Sequence, residues 1–243
     1  MIARSTPQEI RSAYQDAAVA AGYVSARFTG ELNRLLHERQ VAAVRWAMAE
    51  VRAQRILEIA PGPGRVTRDV QPSGTLVCLE YNEAMIDQGR AACGGVAWVR
   101  GDGFRLPFGP VFDLVYSFRF VRHFHRADRE RLYGQVRSVL RPGGLFIFDA
   151  VNERVSRPLR ERHPDEYPIY DELYRLDELR DELTAAGLPP VRVEPVQKRY
   201  RWQLRSQVLL GPRAGWLNRL VIRALERLPG GEGLEWVITC RRA

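Results

Sequence analysis

Five short apolar runs, most of them separated by segments with a helical pattern, are what most constrains the fold of this chain. They are "RILEIA" (55–60), "TLVCLE" (75–80), "VAWVR" (96–100), "FDLVYS" (112–117) and "LFIFDAV" (145–151). Each is continuous in apolar side chains rather than alternating, as strands buried on both faces are. Between them lie "NEAMIDQGRAAC" and "RADRERLYGQVRSVL". Strand, helix, strand in this rhythm predicts a parallel sheet with helices on both faces. Arg141-Pro142-Gly143-Gly144 is expected to stop the last crossover helix and turn the chain into the fifth strand.

The flanking segments add to this core. "STPQEIRSAYQDAAVAA" and "ELNRLLHERQVAAVRWAMAEV" read as helices, the first with Pro7 in its opening turn. Residues 152–175 read as irregular. They are followed by a helix, "LDELRDELTAAG", and a strand, "VRVEPVQKRYRW". A single amphipathic helix, "GWLNRLVIRALERL", then separates that strand from a last one, "LEWVITCRR". The last two strands are expected to pair antiparallel. The stripe Leu217, Leu220, Val221, Ala224 and Leu228 is expected to pack on the domain.

Composition excludes several classes. No run approaches the roughly 20 apolar residues of a membrane span. "MIARSTPQEIR" lacks the apolar stretch of a secretory signal, so a cytoplasmic location is expected. Three scattered cysteines, Cys78, Cys93 and Cys240, form no CxxC pair; neither a disulfide framework nor a metal site is indicated. Net charge is +8, yet Lys198 is the only lysine among 37 basic residues. Arginine is spread along the chain without a block, which reads as a solvated basic surface rather than a nucleic-acid face.

The stretch "EIAPGPGRV" (58–66) follows the first strand. A dinucleotide loop would have glycine at the position of Thr67. Pro61 and Pro63 also remove two backbone N–H donors, and diphosphates are held by such donors. The loop therefore suits a ligand that needs close backbone approach but brings no pyrophosphate. Glu80 ends the second strand, where a two-oxygen acceptor can take both hydroxyls of a ribose. Asp102, followed by small Gly103, comes just after the third strand and could accept from an adenine amino group. Singly these residues could be a turn, a helix cap and a loop. Their coincidence at successive strand ends points to one nucleoside site.

"ILEIAPGPGRVT", "LVCLEYNEAMIDQGR", "VRGDGFRLPF", "FDLVYSFRFVRHF" and "VRSVLRPGGLFIFDAVN" together resemble, in order and spacing, the motifs of class I S-adenosylmethionine-dependent methyltransferases. The resemblance is to the small-molecule group called type 11 or ubiquinone-biosynthesis-like, and covers roughly residues 50–190. It implies an α/β fold, a Rossmann-like, mostly parallel sheet of seven strands with the last antiparallel. It also implies helices on both faces, an N-terminal helical lid and a helix inserted between the last two strands. One domain is expected: a cap over 1–52, a cofactor-binding core over 53–151, and a substrate lid with the rest of the sheet over 152–243. By the same resemblance, Glu58, Ala60, Gly62 and Gly64 would surround the methionine part of the cofactor. Glu80 would hold the ribose, with Tyr81 and Met85 beside the adenosine. Asp102, Gly103 and Phe104 would read the adenine. Ser117, Phe118 and Arg119 would sit near the methionine tail and methyl group. Ala60 departs from the family, which usually has glycine there.

The implied activity is methyl transfer to oxygen, nitrogen or carbon of a small molecule, by a monomer or homodimer. His123 is the candidate base. Tyr14, Tyr23 and Arg27, with Phe28, would supply one side of the acceptor pocket; Tyr167 and Tyr170, with Arg157, Arg160 and His163, would supply the other. Arginine beside tyrosine suggests a flat or anionic acceptor. A nucleic-acid methyltransferase is the alternative from charge, but no "NPPY"-like tetrapeptide follows the fourth strand. A non-catalytic protein that binds the cofactor is a further alternative.

Overall fold

The computed structural model describes residues 30–167 and 170–243. Its centre is one sheet of eight strands: β1 (Arg55–Ile59), β2 (Thr75–Glu80), β3 (Ala97–Arg100), β4 (Phe112–Ser117), β5 (Leu140–Asn152), β6 (Leu173–Tyr174), β7 (Pro190–Val196) and β8 (Glu235–Arg241). The order is β3-β2-β1-β4-β5-β8-β7, with two-residue β6 beside the end of β5. Strands β1 to β5 pair parallel, and β8 runs antiparallel to both β5 and β7. The expected seven strands are thus the main path, and β6 is the eighth.

The helices are α1 (Glu31–Glu50), α2 (Thr67–Val70), α3 (Glu83–Ala92), α4 (Arg126–Val139), α5 (Glu153–Arg162), α6 (Leu176–Ala185), α7 (Tyr200–Leu210) and α8 (Gly215–Arg227). Two apolar cores cover the two faces of the sheet. Leu32, Leu36, Val44 and Ala47 of α1 pack with Ile56, Leu114 and Ile147 on one face. Leu132, Val136, Leu179 and Leu183 of α4 and α6 pack with Leu57, Val115 and Phe148 on the other. Successive strand residues alternate between the two cores, so both faces are apolar and the strands read as unbroken apolar runs. Among the described residues no helix is long and apolar enough to cross a membrane.

Four expectations change. The stretch 152–175 is not all irregular: α5 occupies its first part. Asn152 caps that helix by accepting from the Arg154 amide, while Pro158 inside it hides the helical pattern. The expected strand 191–202 stops at Val196, because Gln197 takes a left-handed φ of 60° and the chain then enters α7. The insert between the last two strands is therefore a pair of helices, α7 and α8, rather than one. Lastly, Leu220 and Leu228 of the expected packed stripe are 57% and 47% exposed. The face of α8 that is buried carries Asn218, Ile222 and Glu226 instead. The expected helix around 5–21 lies outside the described residues.

Candidate functional site: a cleft at the carboxyl ends of the parallel strands

In a parallel sheet the strand order reverses between β1 and β4, and the loops leaving the two strands part there. A cleft of about 1080 Å³, its open mouth included, lies over these strand ends. Glu58, Ala60, Gly62, Glu80, Tyr81, Met85, Asp102, Gly103, Phe104, Phe118, Arg119 and His123 all line it. Residues far apart in sequence thus meet where the motif reading expected them.

Glu80 organises the cleft. One carboxylate oxygen accepts from the Gly62 amide at 3.0 Å; the other accepts from the Tyr81 and Asn82 amides at 2.8 and 2.9 Å. Burial pushes its pKa up, against the pull of those three N–H donors. Asn82 in turn caps α3 by accepting from the Met85 amide, which sets Met85 in the wall. Asp102 accepts from the Phe104 amide at 3.0 Å. Gly103 fits tightly: a Cβ there would come within 3.1 Å of the Ile59 and Phe120 side chains, which would have to give way by a few tenths of an ångström. Phe104, Phe120 and Phe124 pack edge to face, with Phe124 4.8 Å from Phe104 and 4.9 Å from Phe120, and close the apolar side.

The glycine loop behaves differently at each position. Gly62 has φ of 59° and open space where a Cβ would stand. A side chain there would project into the cavity. Gly64 is not in the cleft lining; a Cβ on it would meet the Cys93 sulfur at 2.7 Å. Its role is to let the loop lie against α3. Ser117 is likewise absent from the lining: its hydroxyl donates to the Ile59 carbonyl at 2.7 Å and ties β4 to β1. Ala60 has φ of 54°, a conformation that glycine adopts without strain and alanine does not. The departure from the family glycine therefore costs backbone strain, not room.

Glu58 faces away from bulk water. One of its oxygens accepts from Thr67 at 2.5 Å and Tyr116 at 2.8 Å. Burial pushes its pKa up to about 7 in spite of those hydrogen bonds.

His123 lies on a short 3-10 turn, Val121–His123, after β4. Its Nδ1 is 2.8 Å from the Tyr170 carbonyl and 3.1 Å from Asp171. The carbonyl accepts only, so Nδ1 carries the proton and Nε2 bears the lone pair of the neutral ring. His123 and Arg119 are shared with a second cavity, lined also by Asn33, Arg160, Tyr167, Tyr200, Gln207 and Glu235. Tyr167 sits there, with Arg160 4.5 Å above its ring. Tyr170 is not in that lining; its ring lies 4.5 Å from His125 and its hydroxyl donates to Glu172. Tyr14, Tyr23 and Arg27 lie outside the described residues.

Two arginines of this second cavity, Arg122 and Arg160, are engaged in ion pairs. Arg122 contacts Asp149, Asp171 and Glu235 at 3.4, 3.2 and 3.0 Å, and Arg160 contacts Asp171 at 2.7 Å. Burial alone would raise the Asp171 pKa, but Arg122, His123 and Arg160 hold it well below the usual carboxylate range. Sequence reading missed this cluster, because its acids come from β5, the stretch before β6, and β8. It also missed Asn82, Phe120 and Phe124, although Asn82 had a legible signal as the cap residue just before α3.

Two measurements test this geometry. The Glu58 carboxyl is neutral when buried below about pH 7 and ionises in the unfolded chain from about 4.5. Its contribution to stability is thus complete below the lower value and lost as pH rises through the upper one. Urea unfolding of the Glu58→Gln variant should show a flatter decline of stability between those pH values than the parent chain. Equal slopes would contradict the assignment. Ala60→Gly should raise unfolding stability by about 1 kcal/mol, the strain of a left-handed alanine; a loss of stability would show that the strain is relieved elsewhere.

Comparison with known proteins shows what part of this chain is similar to. Residues 56–144 match the profile described as "Methyltransferase domain". A ubiquinone/menaquinone biosynthesis C-methyltransferase UbiE from Pseudomonas paraeruginosa is 36% identical over 38% of this chain and 40% of its own length. The chain spans between 40% and 51% of the length of several such relatives. Among solved structures, magnesium protoporphyrin IX methyltransferase from Synechocystis PCC 6803 with bound SAH superposes with a TM-score of 0.68 at 10% identity, over 98% of this chain and all of that one. The [4+2]-cyclase SpnF superposes at 0.67 with 17% identity, over 99% of this chain and 97% of its own, so the fold is shared by proteins of different chemistry. Residues 56–144 thus match a methyltransferase domain, and the chain shares its fold with a solved S-adenosylhomocysteine-bound methyltransferase.

Proposed function

We propose that this chain transfers the methyl group of S-adenosylmethionine to a small molecule, leaving S-adenosylhomocysteine. The observation that carries this reading is Glu80, a two-oxygen acceptor held at the end of β2 by three backbone amides and lining the cleft. A ribose offers two adjacent hydroxyl donors to such a group. The residues present fit a nucleoside without phosphate. Gly62 leaves room for close approach, while Arg65, the cation on that loop, is already engaged with His37 and Gln40.

When bound, S-adenosylmethionine supplies a methyl group on a positive sulfonium. Glu80 would hold the ribose, and Asp102 with Phe104 the adenine. Ala60, Gly62 and Glu58 would face the methionine part, with Phe118 and Arg119 opposite. Gly64 and Ser117 would shape the loop and the strand end rather than touch the cofactor. Alignment within the cleft supplies rate by proximity, and the phenylalanine cluster excludes water. The second cavity, reached past Arg119 and His123, would hold the acceptor, with the lone pair of His123 Nε2 taking its proton where it has one. Tyr167 and the segment 152–175 would form one wall and the cap over 1–52 the other, around a core over 53–151. The three free, buried thiols suit a reducing compartment, the cytoplasm. The acceptor could be methylated on oxygen, nitrogen or carbon, and the working unit is a monomer or homodimer.

Calorimetric titration with S-adenosylhomocysteine tests the reading. The parent chain should bind with a Kd of about 1–100 µM, and Gly62→Asp should abolish binding while unfolding remains cooperative. Glu80→Gln should weaken binding by about tenfold or more, since it replaces an acceptor oxygen with a donor. No heat at millimolar ligand with folded parent protein would refute it.

A further inference from the structure

The helical hairpin α7–α8 is built inside out. The residues it buries are largely polar: Gln203 and Ser206 from α7, and Asn218 and Glu226 from α8. They satisfy one another across the hairpin. The Gln203 amide donates to Glu226 at 3.0 Å, and Ser206 donates to Asn218 at 2.9 Å. Its outer surface carries large apolar side chains. Six of the eight large apolar side chains that are exposed among the described residues lie between Trp202 and Leu228. Trp216 is 70% exposed, Leu209 64%, Trp202 60% and Leu220 57%. A hairpin that needed only to be solvated would place these groups inward and the amides outward.

Charge says what the surface faces. From Arg199 to Leu228 the chain holds seven arginines and a single acid, Glu226, which is buried. Arg201, Arg205, Arg213 and Arg227 are exposed among the apolar groups, and Arg205 lies 4.9 Å over the Trp202 ring. Arginine stems run along apolar surface while their heads stay in water, and tryptophan prefers the boundary between acyl chains and headgroups. Exposed tryptophan and leucine, surrounded by arginine and free of exposed acid, is the chemistry of a helix that lies in an anionic lipid surface. The hairpin is also anchored to the body: Arg223 pairs with Glu38 of α1 at 2.7 Å, and Arg219 with Glu31 at 3.3 Å.

We propose that the α7–α8 hairpin docks this protein on the surface of a membrane rich in anionic lipid, with Trp202, Leu209, Trp216 and Leu220 entering the headgroup layer. The inner side of α7 lends Tyr200, Leu204 and Gln207 to the second cavity. Docking would therefore set one wall of that cavity close to the lipid surface. The binding itself does not depend on what reaction the cleft performs.

The test is flotation of the full chain with unilamellar vesicles of phosphatidylcholine, alone or with about 30% phosphatidylserine, the anionic lipid carrying the electrostatic part of the attraction. Binding to the mixed vesicles should be about tenfold tighter or more, fall with added salt, and shift tryptophan emission to shorter wavelength. The double variant Trp202→Ala/Trp216→Ala should lose about tenfold or more in affinity, and Arg201→Gln/Arg213→Gln should erase the preference for phosphatidylserine. These side chains are exposed, so unfolding stability should stay unchanged. Failure to float with either vesicle, or flotation undiminished in the tryptophan variant, would overturn the proposal. So would light scattering showing a dimer that the tryptophan variant turns into monomer, because a second copy would then be the occupant of this face.

Discussion

The buried carboxylate of Glu80 is the constraint on which the cleft depends. Its oxygens join three amides from two different loops, so the turn after β1 and the turn after β2 are set by a single side chain. The cost of taking a carboxylate from water is partly offset by those N–H donors, although burial still leaves its pKa raised. Asn82, next to it, then starts α3, and Cys93 at the end of α3, together with Trp98 of β3, lies behind the glycine loop. Loss of Glu80 would free the loop that Gly62 and Ala60 form, and with it the floor of the cleft.

A second set of buried charges does the same work for the neighbouring cavity. Arg122 binds carboxylates from β5, from the stretch before β6 and from the start of β8, and so joins the parallel and antiparallel parts of the sheet. Asp171 also orients His123. The cavity is therefore lined by charges that neutralise one another. That differs from what a count of arginines in the sequence suggests.

What was legible in the sequence had a local physical signature. Buried strands read as apolar runs, and β1, β2, β4 and the apolar part of β5 were located by them. Glu80, Asp102 and Gly103 were legible because strand ends and small residues mark where a ligand can approach. What was not legible depended on tertiary context. Pro158 masks α5, although Asn152 caps it. The hairpin stripe at Leu217, Leu220 and Leu228 has a helical period, but period alone does not say which face is covered; here polar pairing takes the inside. That Gly64 and Ser117 stand outside the cleft lining was not legible, because spacing reports a loop, not which side of it faces the cavity. Ala60 had no sequence signal for its left-handed backbone beyond its departure from the family glycine.

The proposed role of the Glu80 carboxylate, preset by the backbone, is to receive a ribose. A crystal structure of the protein grown with S-adenosylhomocysteine would show whether it does. Both ribose hydroxyls should lie within hydrogen-bonding distance of the Glu80 oxygens, adenine beside Asp102 and Phe104, with the three amide contacts retained. A nucleoside bound elsewhere, or one whose ribose leaves Glu80 untouched, would contradict it.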